Sequence, residues 1–466
     1  MATHIVCIGG SGLRVLRSMV MMLSAGYDLK SDIKAYIIDP HLSSTEYEFT
    51  TGLIKRYQSV HDKGGHTGFF KTKLEVDINR PNGMEGKTNN TSFGQFIKYN
   101  QMNVESKQII DILYTAGNIN NSMDVGFKGH PNVGCVVLQD LVQDNWFHNN
   151  FTNLPAGDRV VIVGSLFGGT GASGIQTVAQ ALHNNNPQLK IAAVTFIPYY
   201  GLKQPPHGVP KDVDSASWDI KSWAALKYYQ NSNFGIDSFY VIGDDSTDDI
   251  PYDEENQGNK AHFVELMAVT GIKHFIGTPD TNLQKWNMCN TKWSQQYDKD
   301  LNYESWGAEL KDEIACIANF YAFGKFFMMM REDWVYPFNR LFYKEIVADS
   351  SIDDRLKNLE SIITSNGKGD DSFVRWIGEM RENKRSFTAV RTSDIKYDSK
   401  KDSYDFKPET PHAVYNGADI LQDVTMSDYF MAINKVYRKS LKNQDQTDKV
   451  AKFLNICHEG IVSINK

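Results

Sequence analysis

The chain has 466 residues, of which 41% are hydrophobic and 23% are charged, and its formal net charge is −7. This composition is typical of a globular protein and excludes a disordered chain, while the length predicts two or three domains. The acidic balance argues against a surface built to bind nucleic acid. Five scattered cysteines without a CxxC pair indicate neither a disulfide framework nor a zinc ribbon.

The same features predict a cytoplasmic protein without a membrane span. Scattered, unpaired cysteines fit a reducing compartment. The sequence MATHIVCIGGSG enters a strand pattern without the basic and apolar regions of a signal peptide. The most apolar late segment is interrupted by Lys325 and is too short to cross a bilayer.

The first elements in chain order are a buried strand, THIVCI, a glycine turn, GGSG at 9–12, and a helix. A second strand, IKAYIIDP, ends in Asp39. This order is typical of the opening of a nucleotide-binding α/β domain. The turn lacks the third glycine of the dinucleotide fingerprint, because Val15 stands in its place. A nicotinamide-dependent oxidoreductase with Asp39 on the ribose therefore stays an open alternative.

The next segment, residues 44–92, is polar, rich in Gly, Asn, Thr and Lys, and shows no clear strand. We interpret about 44–120 as an insertion or long loop in the first domain, with helical character over 93–117. A glycine–proline turn at 129–134 then leads into another helix.

The stretch GSLFGGTGASG at 164–174 follows the apolar run RVVIV and precedes the amphipathic IQTVAQAL. Glycines let the backbone turn at positive φ and approach a ligand closely. The free N–H groups at the start of the following helix favour negative charge. The stretch predicts a phosphate site, although a tight strand-to-helix turn with nothing bound has the same local pattern.

Strands, turns and helices alternate through residue 243, with strands predicted at 159–163 and 190–198 and in DSFYVIG. This alternation predicts a largely parallel α/β sheet with helices on its faces. Ligands bind such sheets beyond the carboxyl ends of the strands, where the glycine turns of this chain lie. We therefore expect three of these turns to converge on one crevice.

Residues 244–259 are acidic and are predicted to form a solvated loop. The following segment, NKAHFVELMAVTGIKHFIG, starts at Asn259 and has the apolar spacing of a buried helix. His262 and Glu265 lie one turn apart on it, which is typical of a surface pair and is also compatible with a small site. The sequence offers no further metal ligands to complete such a site.

We divide the chain into a first domain at 1–258, a core helix at 259–277 and a carboxyl-terminal domain at 278–466. The last domain is predicted to be α-rich, with helices near its end. Its segment 383–407 is rich in Lys and Arg. Such a charge pattern is typical of a solvated hairpin or of a docking face for an acidic protein partner.

Five segments, taken together, resemble motifs of the tubulin/FtsZ family of GTPases: GGSG at 9–12, GHPNVG at 129–134, GSLFGGTGASG at 164–174, VTFIPYYG at 194–201 and DSFYVIGDD at 237–245. Their order and spacing are similar to those of the family. The resemblance implies a Rossmann-like, mostly parallel GTPase domain that a central helix joins to a divergent, α-rich second domain. It also implies GTP or GDP with Mg²⁺ as the ligand. The residues themselves do not distinguish a preference for GTP from one for ATP.

The resemblance also implies a set of nucleotide-contacting residues. Glycine-loop N–H groups would bind the phosphates, the loop at 129–132 would face the γ-phosphate, and Asn259 would contact the base. The full set is Gly9, Gly10, Ser11, Gly12, Asp39, Gly129, His130, Asn132, Gly168, Gly169, Thr170, Gly171, Ser173, Pro198, Asp244 and Asn259. Asp244 stands where the family has a base-reading asparagine, and the glutamate that often binds the ribose is absent.

In the family, a loop after the core helix supplies an acidic residue to the nucleotide of the next subunit. GTPDTNLQKW at 277–286 resembles that loop with its polar residues exchanged, so that Asp280 replaces an asparagine and Asn282 replaces an aspartate. A carboxylate can activate water, whereas a neutral amide can only orient it. Whether the chain hydrolyses its nucleotide therefore stays open.

The resemblance implies head-to-tail self-assembly into filaments or rings, with hydrolysis completed by the next subunit. The alternative is a nucleotide-binding scaffold or sensor that does not hydrolyse, which the exchange at Asp280 and Asn282 and the divergent second half favour. In either case a protein partner could dock on the carboxyl-terminal half. Nucleic acid is not indicated as a partner.

Overall fold

The computed structural model describes residues 2–77, 80, 82–203, 213, 215–244, 248–251, 259–288, 300–302, 310–331, 352–364, 371–390, 395–400, 402–406, 412–415, 421–440 and 448–464. Within these residues, no helix combines the length and the apolar character that crossing a membrane requires.

A seven-stranded sheet lies at the centre of the structure, and all its neighbouring strands run parallel. Its strands, in spatial order, are β3 (Leu74–Glu75), β2 (Asp32–Ile38), β1 (Ala2–Ile8), β4 (Arg159–Ser165), β5 (Lys190–Phe196), β7 (Ser238–Ile242) and β9 (Trp286–Met288). The chain first moves outward from β1 to β3 and then continues on the other side from β4. The predicted α/β fold class with a mostly parallel sheet is confirmed.

Among the described residues, four two-stranded sheets accompany the central one. They pair β6 (Tyr200–Leu202) with β8 (Asp248–Ile250), β10 (Asp300–Asn302) with β11 (Ser386–Thr388), β12 (Ile395–Asp398) with β13 (Ser403–Phe406), and β14 (His412–Tyr415) with β15 (Leu421–Val424). The antiparallel β12–β13 pair confirms the hairpin predicted within 383–407.

The helices cover both faces of the central sheet and make up most of the described residues after 278. They are α1 (Gly9–Ser24), α2 (Thr45–His61), α3 (Phe93–Phe96), α4 (Val104–Leu113), α5 (Ala116–Asn120), α6 (Pro131–Leu141), α7 (Asn145–Phe151), α8 (Gly169–Asn185), α9 (Trp218–Asn231), α10 (Phe263–Gly277), α11 (Lys311–Arg331), α12 (Asp353–Ile363), α13 (Phe373–Glu382), α14 (Met426–Ser440) and α15 (Lys449–Ile464).

Side chains of the central strands alternate between two hydrophobic cores, because successive residues of a strand point to opposite faces. In β1, Ile5 and Cys7 belong to one core, while Val6 and Ile8 belong to the other. All four side chains are fully buried. The sheet is therefore covered on both faces, as is usual for parallel sheets.

The helices of the second half share the first of these cores with α1. Phe69 packs against the rings of Phe320 and Phe323 of α11, at 5.3 and 4.9 Å between centroids. The indole N–H of Trp376 in α13 donates to the hydroxyl of Ser18 in α1 at 3.0 Å. One continuous core thus joins the two halves, and the division at 258 and 278 stays a prediction.

Helix α1 is buried almost throughout, and it carries two arginines that form ion pairs inside the protein. Arg17, 1% exposed, donates from Nε and Nη2 to the two carboxylate oxygens of Asp371 at 2.7 and 2.6 Å, and from Nη2 to Glu379 at 2.9 Å. Burial favours the neutral form of Glu379, but the guanidinium groups of Arg17 and Arg375 outweigh it and keep the pKa of Glu379 below its ordinary value. These pairs fix α1 to α13.

The expectation of a polar insertion without a clear strand at 44–92 is wrong. Helix α2 buries Leu53, Ile54, Tyr57 and Val60 along one face, and β3 pairs with β2 at the edge of the central sheet. Neither element could be predicted from the sequence. Polar residues interrupt the apolar spacing of α2, and a strand of two residues is too short to show an alternating pattern.

Two helices begin at residues other than those expected. Helix α8 begins at Gly169 rather than 175, so the glycine-rich stretch itself forms its first turn. Helix α10 begins at Phe263 rather than 259, since His262 caps it by accepting from the N–H of Val264, and Glu265 accepts from the N–H of His262. His262 and Glu265 are therefore a buried capping box, not a surface pair or a separate site.

Arg17→Met is expected to lower the free energy of unfolding by about 3–5 kcal/mol, because it leaves the carboxylates of Asp371 and Glu379 buried without their partner. The contribution of Glu379 exists at pH values above its unfolded pKa and disappears as the pH falls through its lower folded pKa. Chemical denaturation at pH 7 and at acidic pH measures both effects. Lys357→Ala, which removes an exposed ion pair with Asp353, is the control and is expected to lower the free energy of unfolding by under about 1 kcal/mol. Equal losses of unfolding free energy in the two variants would contradict the stabilising role of the buried Arg17 pairs.

Candidate functional site

A cleft opens at the carboxyl ends of β1 and β4, where the order of the strands reverses. Four loops form its walls: the turn after β1, the loop after β2, the loop before α6 and the turn after β4. The cleft has a volume of about 1220 Å³ including its open mouth. In open α/β sheets this reversal point is where ligands bind.

The glycine turns contact one another directly at the base of the cleft. A Cβ atom at Gly9 would lie 3.2 Å from Cβ of Thr170, and one at Gly169 would lie 2.9 Å from the backbone nitrogen of Gly129. A Cβ at Gly171 would lie 2.7 Å from both backbone N and O of Ser165. Glycine is needed here because the backbones approach more closely than a side chain allows. The predicted convergence of three glycine turns is therefore present.

Three helices begin at these turns, and none of the three has a side-chain N-cap among the described residues. The capping positions are Ile8 for α1, His130 for α6 and Gly168 for α8. The first N–H groups of a helix have no partner within the helix, and they carry the positive end of its dipole. The cleft thus presents several backbone donors and partial positive charges, which is the arrangement that binds phosphate.

Two carboxyl groups also line the cleft, the buried Asp39 at the end of β2 and the half-buried Glu46 in the first turn of α2. Burial raises the pKa of Asp39 to about 7, although the backbone N–H of His41 donates to it at 3.0 Å. Burial also raises the pKa of Glu46 to about 7, against the opposing effect of Arg17 and Arg14. A cation or a hydrogen-bond donor in the cleft would favour the ionised form of both groups.

An aromatic cluster forms another wall of the cleft. The ring centroids of Phe167 and Trp218 are 4.7 Å apart, and those of Tyr200 and Trp218 are 5.3 Å apart. Such surfaces bind planar rings by stacking. Asn259, just before α10, lies on the cleft wall, and its buried side-chain oxygen has no hydrogen-bond partner within the described part of the chain. This oxygen is free to accept from a ligand.

The structure brings ten of the sixteen residues implied for nucleotide contact to this cleft. They are Gly9, Gly10, Ser11, Asp39, Gly129, Gly168, Gly169, Thr170, Gly171 and Asn259. All but Asp39 and Asn259 belong to the three glycine turns.

The remaining six do not lie on the wall of the cleft. Gly12 lies between α1 and the sheet, since a Cβ there would be 2.8 Å from the carbonyl carbon of Cys7. The hydroxyl of Ser173 donates to the carbonyls of Gly169 and Thr170 at 2.8 and 3.0 Å and so holds the first turn of α8. The others are His130, Asn132, Pro198 and Asp244.

The carboxylate of Asp244 is held in an ion pair and does not line the cleft. Its carboxylate oxygens accept from Nε and Nη2 of Arg385 at 2.8 and 3.0 Å, and both side chains are buried. A carboxylate with these partners has a structural role between β7 and the β11 region. The sequence could not show this, because the partner is 141 residues away.

Asp280 and Asn282 lie at the opposite edge of the sheet. They form one turn of 3₁₀ helix after α10, and Asp280, 57% exposed, accepts from Nη2 of Arg159 at 2.5 Å. Arg159 begins β4, whereas Ser165 at the other end of β4 lines the cleft. A strand of this length separates the two sites by about 20 Å. Asp280 therefore cannot reach a ligand in the cleft of its own chain.

Several residues of the cleft were not predicted from the sequence. The most informative are Arg14, Glu46, Phe167 and Trp218. The position of Arg14 one helical turn after the glycine turn was a usable signal, since the first two turns of such a helix face the ligand. Phe167 lies inside the glycine-rich stretch 164–174 and was also within reach of the sequence, whereas Glu46 and Trp218 reach the cleft only through the packing of α2 and α9.

Comparisons with known proteins add little to this geometry. No protein-family model matches the chain, and no curated protein matches its sequence. Among solved structures, a GTPγS-bound protofilament of CetZ2 from Haloferax volcanii is similar, with 12% sequence identity and a TM-score of 0.29. The match covers 60% of this chain and 61% of the CetZ2 chain, less than two thirds of its length. A superposition this loose assigns neither a family nor a function.

Proposed function

We propose that this protein binds a guanine nucleoside triphosphate with Mg²⁺ in the cleft and assembles head to tail with further copies of itself. The observation that carries the proposal is the meeting of the N-termini of α1 and α8, neither with a side-chain cap in the described residues, with three glycine turns at one cleft. Backbone donors and helix dipoles bind phosphate groups without any lysine.

The cleft also offers positions for the rest of the nucleotide. The aromatic wall of Tyr200 and Trp218 would stack on the base, and the free oxygen of Asn259 would accept a hydrogen bond from an N–H group of the base. We take the base to be guanine from the resemblance of the five sequence segments. His130 and Asn132, just behind Gly129, stay predicted for the γ-phosphate end.

The donor set of the cleft fits Mg²⁺. This ion binds one or two carboxylates together with phosphate oxygens, and Asp39 is a buried carboxyl group at the end of β2, next to the glycine turn of β1. Its raised pKa shows that burial disfavours its negative charge, which a cation would relieve. Mg²⁺ held there would neutralise phosphate charge, while the first turns of α1 and α8 bind the phosphate oxygens.

Head-to-tail assembly is supported by the placement of Asp280 and by an exposed apolar face near the cleft. Asp280 lies at the edge of the sheet opposite the cleft, so stacking one copy on the next would bring it to the neighbour's nucleotide. Helix α9 begins at the cleft with Trp218 and exposes Ile220 and Trp223, at 74% and 71%. Exposed apolar patches of this kind are typical of protein interfaces.

A scaffold or sensor without hydrolysis is the second candidate, and one contact favours it. The carboxylate of Asp280 is already paired with Arg159, so activation of water would require that this pair opens or that the guanidinium contributes as well. Both candidates share the nucleotide site and differ only in turnover.

The pair Gly10→Ala and Gly12→Ala tests the phosphate site. Apart from its chain neighbours and the backbone of its own helix, no described atom lies within 4 Å of a Cβ at Gly10. This variant is therefore expected to fold normally but to weaken GTP binding about tenfold or more, because the methyl group enters the cleft. Gly12→Ala is expected to lower stability by about 1–3 kcal/mol through overpacking. Calorimetric titration with GTP and ATP measures the nucleotide affinities, and thermal unfolding measures the stabilities of the two variants. Unchanged GTP affinity in Gly10→Ala, or no affinity in the wild type, would contradict the proposal.

Asp280→Ala is expected to keep the affinity for GTP and to reduce phosphate release at least tenfold, since the water-activating carboxylate is lost. Phosphate release by the wild type is expected to rise more steeply than linearly with protein concentration, because each site is completed by another copy. Asp354→Ala, which removes another exposed carboxylate, is the control. A wild type that binds GTP without releasing phosphate at any concentration would favour the scaffold.

Trp223→Ser is expected to raise the concentration required for assembly about tenfold or more, because a large apolar side chain no longer becomes buried between copies. Light scattering and sedimentation with GTP measure assembly, and calorimetry is expected to show unchanged nucleotide affinity. Met431→Ser, which removes an exposed apolar side chain from α14, is the control. Equal assembly of the wild type and Trp223→Ser would exclude α9 from the interface.

A further inference from the structure

Two charged side chains on the cleft wall have polar atoms that no described residue satisfies. They are Nη1 of Arg14 and Oε1 of Glu46, both completely shielded from solvent. Buried polar atoms without a partner are rare and costly. Both side chains line the same cleft, so a small movement of the Glu46 carboxylate would open the two atoms to a ligand there.

The guanidinium of Arg14 is held rigidly in place. Its Nε donates to Oε1 of Glu265 at 2.6 Å, and its Nη2 contacts the same oxygen at 2.5 Å and also donates to the carbonyl of Lys260. Arg14 is 4% exposed and Glu265 is fully buried. With these partners fixed, Nη1 is the nitrogen that remains available to a ligand.

Arg14 lies between the two ends of the site proposed for the nucleotide. Along α1 it follows Ser11, a residue of the phosphate turn, by three residues, or about 4.5 Å. Its contact with Lys260 places it beside Asn259, the residue proposed for the base. In a nucleotide the group between phosphate and base is the sugar.

Glu46 completes this position from the other side. Its Oε2 is 3.9 Å from Nη1 of Arg14, too far for a direct hydrogen bond. A hydroxyl group placed between the two side chains can accept from the guanidinium and donate to the carboxylate at normal distances. A sugar hydroxyl has both capacities, whereas a phosphate oxygen would be repelled by Glu46.

We propose that Arg14 and Glu46 bind the ribose hydroxyls of the nucleotide, with Nη1 of Arg14 as the donor and the carboxylate of Glu46 as the acceptor. The inference rests on the proposed function and assigns a new role in the same site. It predicts that the protein selects ribonucleotides over analogues without these hydroxyls, and that this selection depends on Glu46.

The test compares GTP with 2′,3′-dideoxy-GTP in calorimetric titrations of the full chain. The wild type is expected to bind GTP at least tenfold more tightly than the dideoxy analogue. In Glu46→Gln and Glu46→Asp this ratio is expected to fall below about threefold, because a neutral amide accepts a hydrogen bond more weakly than a carboxylate and the shorter aspartate withdraws its carboxylate by one methylene group. Glu48→Gln, on the same helix but exposed and away from the cleft, is the matched control and is expected to keep the wild-type ratio.

The ratio separates a ribose contact from a purely structural role, since a general loss of affinity changes both ligands equally. A wild type that binds both nucleotides equally well would overturn the inference while leaving the nucleotide site intact. A ratio in both Glu46 variants as large as in the wild type would overturn it as well. Absence of binding of either nucleotide to the wild type would instead refute the proposed function on which the inference rests.

Discussion

The parallel direction of all seven central strands is the constraint on which the rest of the structure depends. Each crossover returns the chain to the same edge, so α1 and α8 both begin at the carboxyl ends of their strands. Because β1 and β4 are neighbours, these two helix starts meet, and the glycines let their backbones come within contact of each other. A concentrated patch of backbone donors is the direct result.

Helix α1 connects this patch to the rest of the molecule. Its first turn forms the cleft, Arg14 pairs with Glu265 of α10, and Arg17 pairs with Asp371 and Glu379 of the second half. Fully buried ion pairs are sensitive to displacement, since a separated charge would lose its partner without gaining water. A ligand that moves the first turn of α1 would therefore act on α10 and α13 together. This coupling would give the proposed assembly a physical route to depend on the proposed nucleotide.

The sequence predicted the parts of the site that rest on local chemistry. The strand, glycine turn and helix at β1 and again at β4 are short-range patterns, and their placement at one edge follows from parallel topology. Strand β3 and helix α2 were missed because two residues carry no periodicity and polar residues diluted the apolar face. Long-range pairs were beyond reach: Asp244 binds Arg385, and Arg14 meets Glu265 across 251 residues. Nothing near His262 in sequence showed that it caps a buried helix beside Arg14.

The most direct test of the central claim is a crystal structure of the protein grown with a non-hydrolysable GTP analogue. The account predicts continuous density for the triphosphate in the cleft, with phosphate oxygens about 3 Å from backbone nitrogens in the first turns of α1 and α8. Density for the analogue at any other place on the protein, with these N–H groups facing only water, would contradict it.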